Sequence, residues 1–150
     1  MRTGDKGIEL IKHFEGFSSR LYKCPAGYHT IGYGHRIIPD INDAGMTVTR
    51  DQADAILRID LSVAEKAVRR YINPIVFEGE KGQGKFDALV SFTFNLGGGA
   101  LQRSSLRRKI NYGDPFDVER EFGKWVIAGG KKWKGLIDRR YAEAVLFIYG

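Results

Sequence analysis

The first apolar stripe of the chain predicts a helix near its N-terminus. Ile8, Ile11 and Phe14 recur at three-residue spacing, which places them on one face of an α-helix. Gly16 follows at once, and glycine suits the position after a helix because it adopts a left-handed backbone at little steric cost. We therefore expect this helix to end at Glu15.

Residues 17–35 lose the helical period. Aromatic and β-branched residues lie there between turn-forming residues, an arrangement typical of a short hairpin or a small sheet. They are Tyr22, Tyr28, Thr30, Ile31 and Tyr33, among Pro25, Gly27, Gly32 and Gly34. Residues 36–48 have the composition of a loop.

A capping signal opens a second, longer helix. Thr49 and Gln52 have the spacing of a capping box, in which the two side chains satisfy backbone N–H groups at a helix start. Pro74 prevents the helix from running much beyond Ile72. A helix of this length is expected to connect two lobes.

The rest of the chain is predicted to be helical. A helix is expected over residues 86–96, before the glycines at 97–99, and another from Ser104 or Ser105 to 111–113. A third is expected after the cap Asp114–Pro115, and the last from a cap at Asp138 to the end. Gly129–Gly130 is expected to open a basic loop. The pattern predicts an α+β, mostly helical fold in one domain over 1–150. Its N-lobe is expected at about 1–50, its connecting helix at about 50–72 and its C-lobe at about 73–150.

Composition narrows the classes of protein. Lys and Arg number 24 against 18 Asp and Glu, so the net charge is +6. This surplus favours an anionic partner such as a bacterial wall glycan, and the chain has no nucleic-acid-binding motif. One cysteine excludes a disulfide framework and a multi-cysteine zinc site. We expect no metal and no cofactor, because no ligand cluster has metal-binding spacing.

Glu15, Cys24 and Thr30 are the candidates for chemistry. A hairpin folding back beside the end of the first helix would bring all three to one cleft between the lobes. A protonated carboxylic acid is what a glycosidase needs to protonate a leaving oxygen. The spacing alone does not separate Glu15 from an ordinary surface glutamate.

The residues around these candidates resemble a known family. The stretch HFEGFSSRLYKCPAGYHTIGYGH is similar to the active-site segment of phage-type lysozymes, the endolysin family related to the lysozyme of T-even phages. That family shows a Glu, then eight residues, an Asp or Cys, five residues, a Thr, and an Ile-Gly-x-Gly-His run. The resemblance extends to residues 86–97 and 135–143 in the predicted C-lobe.

The resemblance implies a lysozyme-like two-lobed fold and cleavage of peptidoglycan between N-acetylmuramic acid and N-acetylglucosamine, with inversion at the anomeric carbon. Glu15 would be the general acid, and Thr30 would hold the attacking water. Cys24 would position that water where many members have Asp. Arg140, or alternatively Arg139, would orient the Glu15 carboxyl. Tyr28, Tyr33, Phe94 and Asn95 would line the cleft, although the aromatic rings could equally belong to the core.

Three other functions stay open at this point. Cys24 could be the nucleophile of a wall amidase, with His29 or His35 as its base. A lytic transglycosylase would need Glu15 but no water-positioning partner. A non-catalytic wall-binding module would explain the charge but not the Glu15, Cys24 and Thr30 segment.

The N-terminal residues carry scattered charges and lack the apolar stretch of a signal peptide, and no apolar run would span a membrane. We therefore expect accumulation in the host cytoplasm before lysis and action on the cell wall. A membrane-permeabilising holin would be the functional partner. The protein is expected to act as a monomer.

Overall fold

The computed structural model describes residues 1–39, 43, 45–113 and 116–150. Their contacts form two compact units, one of Ile11–Ser62 and the other of Met1–Leu10 with Val63–Gly150. The first two helices each pass from one unit into the other. The predicted lobe boundaries stay a prediction, but the first ten residues belong with the second half of the chain.

The elements in chain order are α1 (Asp5–Glu15), β1 (Ser18–Lys23), β2 (His29–Gly32), β3 (His35–Arg36), α2 (Arg50–Tyr71), a 3-10 turn (Pro74–Phe77), α3 (Gly82–Leu96), α4 (Gly98–Arg103), α5 (Ser105–Tyr112), α6 (Val118–Gly123), β4 (Ile127–Ala128), β5 (Lys131–Lys132) and α7 (Lys134–Tyr149). The predicted α+β, mostly helical class is confirmed. In the predicted loop 36–48, residues 40–42 and 44 lie outside the described residues.

Helix α1 ends where its sequence predicts. Gly16 has a φ of 71°, and its N–H donates to the Lys12 carbonyl at 2.9 Å. A left-handed residue at this position closes the helix and turns the chain towards β1. Glu15 is therefore the last helical residue.

The start of α1 is capped by a residue that lies far away in sequence. The buried Asp87 carboxylate accepts the N–H of Gly4 at 2.9 Å and that of Gly7 at 3.2 Å. Glu65 accepts both the N–H and the hydroxyl of Thr3, at 2.9 and 2.7 Å. These bonds satisfy N–H groups that have no partner inside the helix.

The unit Ile11–Ser62 is a three-stranded antiparallel sheet, in the order β1-β2-β3, with the two helix segments. Gly32 contacts α2 closely, since a Cβ at Gly32 would lie 3.1 Å from the Ala53 Cβ. The predicted capping box is confirmed: Gln52 N–H donates to Thr49 Oγ1 at 3.1 Å, and Thr49 N–H to Gln52 Oε1 at 2.9 Å.

The other unit is organised around α3, which is buried on nearly all sides over residues 82–93. Phe92 packs edge-on against Phe122 and Trp125, with ring centroids 5.8 and 5.6 Å apart. Helix α7 contacts α3 closely at Gly84, where a Cβ would lie 2.8 Å from the Leu146 carbonyl oxygen. A glycine here lets the two backbones approach.

Three details differ from the sequence prediction. Gly97, with a φ of 92°, is followed directly by the short helix α4 rather than by a loop. Gly129 and Gly130, with φ of 59° and 76°, form the two-residue turn of the β4–β5 hairpin, because glycine permits the positive φ that such turns need. The prediction that Asp138 caps the last helix is wrong, since α7 already begins at Lys134 and Asp138 accepts from Lys134 Nζ at 2.7 Å.

Ser104 caps α5 as predicted, accepting from Arg107 N–H at 3.0 Å. The predicted cap Asp114–Pro115 lies outside the described residues, and α6 has Asp117 as its N-cap. Over the described ranges, no helix has the length and apolar character that crossing a bilayer requires.

Gly7→Ala is expected to lower the free energy of unfolding by about 2–3 kcal/mol, because overpacking forces neighbours apart. A Cβ at Gly7 would lie 2.7 Å from Asp87 Cβ and from Thr3 Cγ2. Gly135→Ala in α7 is the matched control: a Cβ there meets nothing within 4 Å, and the change should stabilise by about 0.5–1 kcal/mol. Denaturant unfolding measures both. Equal effects of the two variants would contradict the close approach at Gly7.

Acid is expected to destabilise the unit that contains Val63–Gly150, because it protonates Glu121, whose side chain is 1% exposed. Burial alone would raise the pKa of Glu121, but bonds from Lys109, Lys124 and Ser105 outweigh it and lower the pKa to about 2. The stabilisation is therefore complete above about pH 4.5 and is lost as the pH falls towards 2. Glu121→Gln should cost about 2–3 kcal/mol at neutral pH, with the difference from wild type shrinking in acid. Exposed Glu119→Gln is the control, and a pH-independent cost at Glu121 would refute the expectation.

Candidate active site

The strand register places five side chains on one face of the sheet. Tyr22 pairs with Thr30, and Thr30 pairs with Arg36. Directly opposed residues in antiparallel strands point to the same side, as do residues two apart along a strand. Cys24 and Tyr28 each lie two positions from this row, and Cys24 N–H donates to the Tyr28 carbonyl at 2.9 Å. We call this surface the Thr30 face.

The two histidines next to this segment lie on the opposite face. His29 pairs with Lys23 and His35 with Ile31, which is one position out of phase with the Thr30 row. His35 Nδ1 also lies 2.8 Å from Asp60 Oδ2 on α2. The sheet backbone therefore separates both imidazoles from Cys24.

The Cys24 thiol lies in a polar setting created by the turn that follows it. The Tyr28 backbone N–H is the main group that lowers the pKa of Cys24, burial opposes it, and the Ala26 N–H and the Thr30 hydroxyl lower the pKa further. Each of these donors stabilises the thiolate more than the thiol. Cys24 is therefore ionised at a lower pH than an ordinary cysteine.

Thr30 connects the two sides of the turn. The residue is only 4% exposed, and its hydroxyl donates to the Tyr28 carbonyl at 2.9 Å. A hydroxyl has one proton and two acceptor positions. With its proton on Tyr28 or on the Cys24 sulfur, Thr30 Oγ1 still has an acceptor position for a water molecule.

Glu15 lies at the end of α1, against the turn that joins β2 to β3. A Cβ at Gly34 would lie 3.0 Å from Glu15 Oε2, so the carboxyl packs directly on the glycine backbone. The φ of Gly34 is 77°, a conformation in which glycine is strongly favoured. The carboxyl also lines an open pocket of about 260 Å³ with Gly16, Phe17, Ser18 and Tyr22.

Tyr22 is close enough to the acid and to the thiol to feel the charge of each. Burial is the main cause that raises the pKa of Tyr22, followed by the negative charges of Glu15 and Cys24. Within the unit Ile11–Ser62, Cys24 interacts with Thr30, and Tyr22 shares a pocket with Glu15. The joint action of Glu15, Cys24 and Thr30 stays a prediction. Tyr22 was not among the residues predicted for the site. Its signal is the two-residue spacing from Cys24 along one strand.

The two tyrosines proposed to line the site have different surroundings. Tyr28 is 39% exposed, and the Arg36 guanidinium lies 3.4 Å from its ring centroid. Tyr33 is 7% exposed, and it packs against Phe17 with centroids 5.3 Å apart and under Lys12 Nζ at 5.3 Å. This packing favours a core role for Tyr33 over contact with a sugar.

The remaining candidates lie in the other unit. Phe94 and Asn95 are half-buried near the end of α3. Arg140 is 1% exposed, and its Nη2 donates to Asn95 Oδ1 at 2.9 Å and to Glu143 Oε1 at 3.0 Å. Arg139 donates from Nε to the same Glu143 oxygen at 3.3 Å. Arg140 therefore orients Asn95, and its predicted action on Glu15 stays a prediction, as does the alternative of Arg139.

Comparisons with known proteins identify the family of this chain. The family described as Phage lysozyme matches residues 12–143. The endolysin of Acyrthosiphon pisum secondary endosymbiont phage 1 is 38% identical, over 98% of this chain and 98% of its own length. The endolysin of Bacillus phage B103 is also 38% identical over 100% of this chain, but the chain spans only 55% of that relative's length.

Two solved structures share the fold. An endolysin from Escherichia coli O157:H7 phage FAHEc1 superposes with a TM-score of 0.84 at 34% identity, covering 99% of this chain and 94% of that one. The muramidase domain of SpmX from Asticaccaulis excentricus gives a TM-score of 0.82 at 34% identity, covering 99% of each chain. The predicted lysozyme-like fold is confirmed.

The pH dependence of Cys24 alkylation by iodoacetamide should show the lowered pKa of the thiol. The wild-type rate is expected to reach half its maximum at a pH below that of a free cysteine, because the thiolate is the reactive form. Thr30→Val removes one of the groups that lower the pKa of Cys24, so the midpoint should move to higher pH. Thr47→Val, in the strand-bridging residue opposite Arg20, is the control. An unchanged midpoint in Thr30→Val would mean that this hydroxyl does not act on the thiol.

Proposed function

Since this chain belongs to the phage lysozyme family, we propose that it hydrolyses the glycosidic bond between N-acetylmuramic acid and N-acetylglucosamine in bacterial peptidoglycan and so causes host cell lysis. The observation that carries the proposal is the placement of Glu15 beside a sheet face with Cys24 and Thr30. An acid, a water-binding hydroxyl and a group that accepts a proton are what inverting hydrolysis needs.

The proposed reaction takes place in one displacement. Glu15 donates its proton to the bridging oxygen as the bond from that oxygen to the anomeric carbon breaks. A water molecule held by Thr30 Oγ1 attacks the same carbon from the opposite side, and its proton passes to the Cys24 thiolate. The product sugar carries the new hydroxyl in the inverted configuration, and proton exchange with solvent restores Glu15 and Cys24.

The position of the histidines argues against the cysteine amidase. Such an enzyme needs an imidazole within hydrogen-bond reach of the thiol. His29 and His35 lie on the face of the sheet opposite Cys24, and His35 is bonded to Asp60. Cys24 is therefore assigned to the water rather than to the substrate carbon.

Substrate contacts are proposed for Tyr28, Phe94 and Asn95. Aromatic rings pack on the apolar faces of sugars, and the Asn95 amide, with its oxygen held by Arg140, keeps its NH₂ group for an N-acetyl carbonyl. Arg140, or Arg139, is proposed as the positioning residue for the acid. Arg140→Lys and Arg139→Lys distinguish the two. Both changes should lower stability, because each arginine bonds the buried Glu143, but only loss of the positioning residue should also lower the kcat of the folded enzyme.

The cellular setting is also a proposal. We propose accumulation in the host cytoplasm, release by a holin and action as a monomer. Lysis timing in host cells with and without a holin gene tests the first two. Sedimentation equilibrium of the purified protein tests the third, and a dimer would refute it.

Product analysis on purified peptidoglycan tests the function. Wild type should release muramic acid reducing ends with the inverted anomer formed first, and Glu15→Gln should lower the rate by about 10²–10⁴-fold because the acid is lost. Glu9→Gln, on the same helix, is the matched control. Cys24→Asp should keep activity, since Asp also accepts the proton of the water.

Each competing function predicts a different outcome. Anhydro sugars as products would indicate a lytic transglycosylase. Net retention by wild type, together with loss of activity in Cys24→Asp, would indicate a covalent thiol mechanism. Cleavage of the wall without new reducing ends would indicate an amidase. Wall binding with no cleavage by wild type would indicate a binding module.

A further inference from the structure

A cation stands next to the proposed water site and has no part in the reaction described above. Arg36 is the residue directly across from Thr30 in the β2–β3 pair. Its guanidinium carbon lies 3.4 Å from the centroid of the Tyr28 ring. Arg36 is exposed, and Tyr28 is 39% exposed, so the stacked pair faces solvent on the Thr30 face.

Stacking on Tyr28 holds the Arg36 guanidinium in an orientation suited to binding an anion. The aromatic ring covers a flat face of the group, while the five N–H donors lie in its plane and point outward from the edge. The ring also restricts a side chain that would otherwise lose rotamer freedom on binding. An arginine held in this way matches a carboxylate with two parallel hydrogen bonds.

The pair is coupled to the proposed reaction centre through one peptide group. The Tyr28 carbonyl accepts the Cys24 N–H at 2.9 Å and the Thr30 hydroxyl at 2.9 Å. Arg36 is the direct strand partner of Thr30, so the two backbones lie one strand spacing apart, about 5 Å. A group bound at the guanidinium would lie beside Tyr28 on the Thr30 face, which suits a substituent of the glycan near the cleaved bond.

In the polymer proposed as substrate, negative charge is carried by the peptide attached to each muramic acid, since the sugar rings themselves are neutral. We propose that Arg36, stacked on Tyr28, is a subsite for a free carboxylate of this stem peptide. The inference rests on the proposed function and names the part of the substrate that this site recognises. It makes the Thr30 face specific for a peptide-bearing glycan over a neutral one.

Kinetics on two matched substrates test the subsite. One is soluble peptidoglycan fragments, and the other is the same fragments with their carboxylates converted to neutral amides. Arg36→Gln should lower kcat/KM on the native fragments by about tenfold, mainly through KM, because one charge-assisted pair is lost. On the amidated fragments Arg36→Gln should have the kcat/KM of wild type. On the native fragments the kcat/KM of Arg36→Lys should lie between those of wild type and Arg36→Gln.

Arg20→Gln is the control, because Arg20 is an exposed arginine of the same sheet and the change in net charge is identical. Thermal unfolding confirms that the variants are folded. An equal loss on both substrates would show that Arg36 has only a structural role. No loss on the native substrate would overturn the subsite, and an equal loss in Arg20→Gln would show that activity depends only on overall charge.

A binding measurement separates this proposal from the proposed function. Co-sedimentation with insoluble peptidoglycan is done in the Glu15→Gln background, where no cleavage is needed. Adding Arg36→Gln should weaken binding about tenfold on native wall and not on amidated wall. Inactive wild type together with this binding pattern would overturn the hydrolase and keep the subsite. If wild type is active and Arg36→Gln leaves binding unchanged, the hydrolase is kept and the subsite is overturned.

Discussion

The buried carboxylate of Asp87 is the constraint that fixes the start of α1. It accepts the backbone N–H groups of Gly4 and Gly7, and two glycines permit this approach because a Cβ at either would crowd Asp87 or its neighbour Gln83. Burial is the main influence on the pKa of Asp87 and raises it, and the bonds from Gly4, Gln83 and Gly7 oppose that rise. These bonds fix the first turn of α1, and the left-handed Gly16 closes its last turn, which ends at Glu15.

The antiparallel register decides which side chains share the face of the proposed site. Because side chains alternate across a strand, one face receives Tyr22, Cys24, Tyr28, Thr30 and Arg36, and the other receives His29, Ile31 and His35. The first set is partly open to solvent, whereas Ile31 is buried and His35 is bonded to α2. The same backbone thus supplies a reactive surface on one side and a packing surface on the other.

In the proposed reaction Cys24 takes the place of an aspartate, and the turn after it supplies hydrogen-bond donors to its sulfur. The Tyr28 N–H and the Thr30 hydroxyl both favour the charged form of Cys24, so the thiol gains some of the acidity that a carboxyl has by nature. The same Tyr28 peptide accepts from Cys24 and from Thr30. Its side chain supports Arg36, so this one residue links the proposed water site with the proposed peptide subsite.

Local chemistry determined the parts of the structure that the sequence predicted correctly. Gly16 ends α1, Thr49 and Gln52 open α2, and Ser104 opens α5, because helix caps depend on residues within one turn of each other. The segment around Glu15, Cys24 and Thr30, from His13 to His35, likewise supported the resemblance to the family from residues close together in the chain.

Only the tertiary structure decided which side chains share a face. Strand β1 has an irregularity between Ser18 and Tyr22, and a shift of one residue would turn every later side chain to the other side. The sequence therefore could not place Tyr22 and Arg36 beside Thr30, or assign Tyr33 to packing. Nor could it place the start of α7 at Lys134, because no side chain caps that start and the residue before it, Trp133, donates its N–H to the Val126 carbonyl of the β4–β5 hairpin segment. Such contacts join segments that are separate along the chain, and no local pattern records them.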